Sequence, residues 1–304
     1  MKEVLSLKQA VLATIAYADL LNFPLKGEEI EEYLYGWSAP REAIETVLKE
    51  IQGVIHLNGY YCLNNRIELI EMRKKNDVLL KDYWKRIRRF RFLFQLCPFV
   101  RSVAICNSVS YGNVKENSDI DLFVITADRR LSTSRFFLKL ITQLFGVRVH
   151  HGFISKRFCL SFFVTENAHN LKAIAYEFDP HLAYFVKTMT PLFGAKAFGE
   201  FLRDNESWMA PYFKRQNKSR SHELMENGTA KKMQFVFECF LRIFGDLLEN
   251  LTFKFQMKRD LNHKKRILDS SSFIMNKYMF KAHEEDPRAN IASQFLNRLN
   301  AISS

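Results

Sequence analysis

Residues Asn107–Thr126, NSVSYGNVKENSDIDLFVIT, decide how this chain is read. A short polar turn containing Ser108 and Gly112 leads through a loop into Ser118-Asp119-Ile120-Asp121, where an apolar run begins. Successive side chains of a strand point to opposite faces, so Asp119 and Asp121 share one face while Ile120 and Leu122 share the other. Two carboxylates about 7 Å apart along a strand edge form a hard-oxygen site suited to Mg²⁺. Alone, an Asp-x-Asp pair has little specificity, and the bland reading is two solvated strand residues.

The neighbouring sequence gives the pair a context. Val103–Cys106 predicts a strand before the turn, and Ile120–Ile125 a strand after it. A helix is expected over about Ser132–Phe145, stopped by Gly146, and a third strand over Phe158–Val164 (FCLSFFV). Upstream, Arg66–Leu96 predicts a long helix ended by Cys97-Pro98. It carries Lys81, Lys85, Arg86, Arg88, Arg89 and Arg91 among Tyr83, Trp84, Phe90, Phe92 and Phe94. Such a face (residues 81–91) can track a nucleic-acid backbone. The favoured reading packs the aromatics on a core and leaves the cations in water.

With these elements placed, the stretch resembles the nucleotidyltransferase superfamily, whose signature runs G-S-x-A-x-G, a short loop, then S-D-[IL]-D-L. The likeness covers about twenty residues and rests on Ser108, Gly112, Ser118, Asp119, Asp121 and Leu122. It implies a polymerase-beta-like minimal α/β core with a small mixed sheet. It further implies Mg²⁺ (or Mn²⁺) on Asp119 and Asp121 as metal-binding and catalytic residues, with a nucleoside triphosphate as substrate. Ser108 would offer its hydroxyl and nearby N–H groups to the phosphates, Gly112 would let the backbone turn past them, and Ser118 would brace the turn. The acceptor of the nucleoside monophosphate would be a protein, RNA or a small molecule. The sequence departs from the pattern at Asn107, where the family has Gly, although Asn tolerates left-handed backbone. It departs again at Ser161, matched to a third family acid, and a hydroxyl cannot act as a charged metal ligand. Glu166 lies just beyond that strand as a substitute. These departures leave two alternatives: an impaired nucleotidyltransferase-fold binding module, or a nucleic-acid-binding regulator.

At the N-terminus, Leu7–Phe23, Gly27–Leu34 and Arg41–Ile51 predict three helices, the third capped by Ser38 with Pro40 in its first turn. Gly53–Asn64 predicts a hairpin turning at Asn58-Gly59. Three helices closed by a hairpin resemble a winged-helix module. Its third helix sets Arg41 and Lys49 against Glu42, Glu45 and Glu50, a poor charge balance for reading DNA, so a structural or protein-contact role is expected. The expected class is therefore α+β, divided into a winged-helix-like module (1–65), a long helix plus nucleotidyltransferase core (66–166) and a helical C-terminal region (167–304). In that last region, helices are expected at Leu171–Thr188, about Phe193–Arg203 and about Thr229–Leu261. Asn217–Gly228 reads as a connection and Ala282–Ser304 as weakly patterned.

Composition sets the outer limits. The 304 residues are 47% hydrophobic and 26% charged, ordinary values for a globular chain. The 28 phenylalanines, many at helical spacing in the second half, are expected to pack cores. No run of eighteen uncharged apolar residues predicts a membrane span, and charges break the apolar N-terminus as a leader, so a cytoplasmic location is expected. Five scattered cysteines (Cys62, Cys97, Cys106, Cys159, Cys239) suggest buried thiols rather than disulfides or zinc. A net charge of +12 favours polyanions without choosing among them. His150-His151 could place one imidazole beside the site; Asp179-Pro180-His181 reads as a capped break, and Glu284-Glu285-Asp286 as a solvated run.

Overall fold

The computed structural model describes residues 5–150, 152–214, 226–264, 273–282 and 286–303, which form eleven α-helices and two sheets. The larger sheet has six strands: β4 (Val100–Ile105), β5 (Ile120–Thr126), β6 (Phe158–Thr165), β7 (Thr190–Phe193), β8 (Phe273–Met275) and β9 (Met279–Ala282). Their order is β7-β4-β5-β6-β9-β8, with only β5 and β6 parallel. A parallel pair needs a crossover, and α6 (Leu131–Leu144) supplies it. Both faces of the sheet are covered, which explains why its strands are apolar almost throughout. Leu122, Val124 and Phe163 pack with Tyr83, Ile87 and Phe94 of α4 (Glu68–Leu96) and Leu138 of α6. Phe123, Ile125 and Phe162 pack with Leu182 and Val186 of α7 (Pro180–Thr188) and Phe201 of α8 (Ala195–Met209).

The N-terminal helices α1 (Leu7–Leu20), α2 (Gly27–Glu32) and α3 (Arg41–Glu50) stand beside a three-stranded sheet. In it β3 (Tyr60–Leu63) lies between β2 (Val54–Leu57) and β1 (Leu25–Lys26). The hairpin turns where expected, with positive φ at both Asn58 and Gly59. Ser38 is not the cap of α3, because Pro40 occupies that position. The core of these helices includes Tyr184 of α7 and Phe295 of α11 (Arg288–Ser303), so the two chain ends pack together.

Several expectations about the second half need correction. The stretch Leu171–Thr188 is a 3₁₀ turn (Leu171–Ile174) followed by α7, which Asp179 caps by accepting from the Leu182 N–H at 2.9 Å. Phe193 ends β7 instead of starting a helix, and the weakly patterned tail is α11. The long helix is broken into α9 (Gly228–Arg242) and α10 (Gly245–Lys264) at a glycine that abuts the Arg130 guanidinium. The phenylalanines of this pair are not core residues: Phe235, Phe240, Phe244 and Phe255 are 55–67% exposed. Helical spacing was a poor guide there because α9 turns Ala230, Gln234 and Glu238 to the protein and leaves its apolar side exposed. The connection expected at Asn217–Gly228 falls mostly outside the described residues. No described helix is long and apolar enough to cross a membrane.

Gly194, at φ 77° between β7 and α8, is forced by two constraints. A Cβ there would collide with the Arg101 carbonyl and come within 2.9 Å of Ser102. Gly194→Ala is expected to destabilise the fold by about 2–4 kcal/mol, read as a lower urea midpoint at unchanged m-value.

Candidate functional site

β4 ends at Ile105, and the chain then turns through Cys106 into the single-turn helix α5 (Asn107–Tyr111). Asn107 takes φ 56°, the left-handed conformation that glycine normally supplies, so the turn survives the substitution. Its side chain has a second use, since the Asn107 amide donates to Asp121 Oδ2 at 3.0 Å. Ser110 Oγ donates to the Asn107 carbonyl at 2.8 Å and tightens the same turn. Gly112 closes α5 at φ 94°. A Cβ on it would meet Leu80 at 3.3 Å, with Arg73 and Phe23 next, so its surroundings are α4 and the N-terminal module. Helix stop and packing are what the structure shows for this glycine.

The loop before β5 is held from several sides. Ser118 Oγ accepts from the Lys115 N–H at 2.9 Å, which is the bracing role expected of it. The Tyr83 hydroxyl lies 2.8 Å from the Lys115 carbonyl and 2.9 Å from that of Ser118, and it shares its proton between them. The Lys156 N–H donates to the Ser118 carbonyl at 2.8 Å. Asn113 donates to the Leu21 carbonyl at 2.8 Å and accepts from Asn76 at 3.1 Å, tying the loop to both α4 and the N-terminal module. The aromatic face of α4 therefore packs the core, as favoured, while Lys81, Lys85, Arg88 and Arg89 stay exposed.

These restraints bring Asp119 and Asp121 together with Cys159, their ligand atoms all within 4.8 Å of one another and each residue half-buried. Parallel pairing sets Cys159 directly opposite Asp121, and a bulge follows before Phe123 meets Phe162. Cys159 thus lies beside the carboxylates on β6, where only Ser161 was expected. Ser161 is close enough to lower the pKa of Asp121 and Cys159, yet its buried Oγ makes no hydrogen bond of ordinary geometry. Neither carboxylate forms an ion pair with Lys or Arg among the described residues. Burial and the charge of Asp119 push Asp121 up to about 7, and burial raises Asp119 as well. Burial also holds the Cys159 thiol well above its ordinary value, followed by the repulsion of Asp121 and Asp119. Two carboxylates fit a hard divalent cation, whereas a protonated thiol adds no hard donor.

The other candidates separate clearly. Glu166 follows Thr165, seven positions along β6 from Cys159 and so roughly 20 Å away. There it accepts from the Asp128 N–H and lies 3.9 Å from Arg101, away from the carboxylate pair. The exposed His150 ring packs against Phe153 at 4.9 Å; His151 falls outside the described residues. Asp286 is no solvated residue, because it is buried against Lys281 and Arg288, each at 2.7–2.8 Å; Glu284 and Glu285 lie outside the described residues. Cys62, Cys97 and Cys106 are buried as expected, whereas Cys239 is exposed.

A cleft of about 270 Å³ opens beside the turn, lined by Asn107, Ser108, Phe185, His181 and Arg288. His181 Nδ1 is 2.8 Å from the Tyr17 hydroxyl, and burial pushes this imidazole down to about 4. Between pH 6.5 and 4 the unfolded chain takes up a proton there that the folded chain refuses, so stability rises with pH across that window. The expected loss on acidification is up to about 3 kcal/mol, and His181→Gln should flatten this part of the stability–pH curve in urea titrations. No family model, curated protein or solved structure matches this chain.

Proposed function

We propose that this protein is a divalent-cation-dependent nucleotidyltransferase with a winged-helix-like N-terminal module. The observation that carries the reading is the convergence of Asp119, Asp121 and Cys159 within 4.8 Å, with neither carboxylate ion-paired to Lys or Arg among the described residues. A Mg²⁺ or Mn²⁺ ion there would supply Lewis-acid stabilisation of phosphate charge. Asp119 and Asp121 hold the cation, and the Asn107 amide fixes the rotamer of Asp121. Ser108 lines the cleft beside them, where the triphosphate would lie and could accept from its hydroxyl. Transfer forms a bond from the acceptor oxygen to the α-phosphorus and breaks the bond to pyrophosphate, which leaves with the electron pair. The acceptor proton passes to solvent, since neither Cys159 nor Ser161 is a competent base.

One observation favours a second reading. With a thiol where a third carboxylate would complete the site, a nucleotide-binding module without turnover is also consistent. Incubation with each labelled nucleoside triphosphate and Mg²⁺ or Mn²⁺ separates the two. Pyrophosphate release and label transfer to protein or RNA, lost in Asp119→Asn, support the transferase. Triphosphate binding without release supports the module, and absence of both sinks the reading.

A further inference from the structure

A second cleft, of about 460 Å³, lies beyond the carboxylates where β9 leaves β6. The pairing of β9 with β6 stops at Phe162, and Arg148 bridges Phe158 on the same side. Cys159–Ser161 between them border the opening, which α6 and α10 roof over with Arg135, Lys139 and Arg259. Four cations thus face one carboxylate, Asp260. Asp260 is engaged by Arg135 at 2.6 Å and approached by Arg259 at 3.6 Å. Lys139 and Arg148 have no hydrogen-bonded or ion-paired side-chain partner among the described residues. Arg135 is 3% exposed, and its Nε has no hydrogen-bond partner. The remaining wall is apolar, with Leu160, Phe273 and Phe280, and the Arg135 guanidinium sits 3.2 Å over the Phe280 ring.

We propose that this cleft binds a small organic phosphate ester, with its phosphate held by Lys139, Arg148 and Arg135 and its organic body against Phe273 and Phe280. Arg135 is held by Asp260 and Gln256, but four cations against one carboxylate leave an excess of positive charge in a half-buried cleft, and an anion placed among them offsets that cost through charge-assisted hydrogen bonds. Burial and the charge of Arg135 push the Lys139 ammonium down to about 5, a cost that a bound phosphate offsets. The volume falls in the range of sites for small organic ligands, about 300–1,000 Å³, and exceeds what a bare phosphate fills. Cys159 borders both this cleft and the carboxylate site, but none of the residues proposed to hold the phosphate belongs to that site, and binding here does not require transferase activity.

Calorimetric titration of the full chain with phenyl phosphate and with inorganic phosphate, in EDTA at fixed ionic strength, tests the proposal. Saturable binding is expected, with phenyl phosphate several-fold tighter than inorganic phosphate because of the apolar wall. Lys139→Met and Arg148→Gln should each weaken it about tenfold or more. Lys139→Met replaces a buried charge with an apolar chain of similar length, so an unchanged or raised melting temperature verifies its fold. Equal affinity in both variants, no saturable binding of phenyl phosphate, or binding of single-stranded RNA alone would each overturn the assignment. Loss of nucleotidyl transfer without loss of phenyl phosphate binding would count against the function proposed above and leave this site standing.

Discussion

Asp121→Asn is expected to stabilise the metal-free protein while abolishing nucleotidyl transfer. In EDTA the wild-type chain carries two half-buried carboxylates within 4.8 Å of each other, and burial plus mutual repulsion raises the pKa of Asp121. An amide of the same shape removes that repulsion. The gain should be about 1–3 kcal/mol at pH 8, seen as a higher urea midpoint. The same substitution removes one of two anionic oxygen ligands, so transfer from a labelled triphosphate should fall about a thousandfold or more. Stability and activity moving in opposite directions is the mark of a site kept for its chemistry. A variant that is both inactive and destabilised would point to a structural role for Asp121.

The second large effect lies at Arg288. Its guanidinium holds Asp179 at 2.8 Å and Asp286 at 2.7 Å, and the two carboxylate side chains are 1% and 2% exposed. Asp179 also caps α7, so the ion pairs link the start of α11 to the helix flanking the cleft beside Ser108. Arg288→Met leaves Asp179 and Asp286 buried without the guanidinium that they share. Breaking one partner out of a buried ionic cluster costs about 3–5 kcal/mol. The cost should shrink in acid: these partners depress the Asp286 pKa, so the wild-type advantage is present above pH about 4 and fades below it as the carboxyl protonates. Urea titrations of both proteins at pH 7 and pH 3.5 check this, with the smaller difference expected at the lower pH.

What the sequence disclosed depended on whether a signal was local. The strand bearing Asp119 and Asp121, the crossover helix, the Asn58-Gly59 hairpin and the bracing by Ser118 are all set by neighbours within a few residues, and all were legible. The partner of Asp121 was not. Alternation leaves Cys159 and Ser161 equivalent, and only the inter-strand register with its bulge decides that Cys159 faces the carboxylates. Asn107 showed as a departure from glycine, and the turn conformation was foreseeable; its hydrogen bond to Asp121 was not, because it spans two strands. The short strands β7, β8 and β9 carry too few residues for periodicity to mark them. Asp286 looked like part of a solvated acidic run because its burial between Lys281 and Arg288, with Asp179 on the same guanidinium, comes about only in the fold. The basic cleft was invisible for the same reason, since Arg135, Arg148 and Arg259 come from three separate segments.

The central claim is that Asp119 and Asp121 form a cation site that serves a triphosphate. Equilibrium dialysis of Mn²⁺, with and without a nucleoside triphosphate, measures this directly in the wild type, Asp119→Asn and Asp121→Asn. One saturable Mn²⁺ site is expected in the wild type, tightened about tenfold or more by the triphosphate and lost in both variants. Mn²⁺ binding that is equal in all three proteins, or unaffected by the triphosphate, would contradict it.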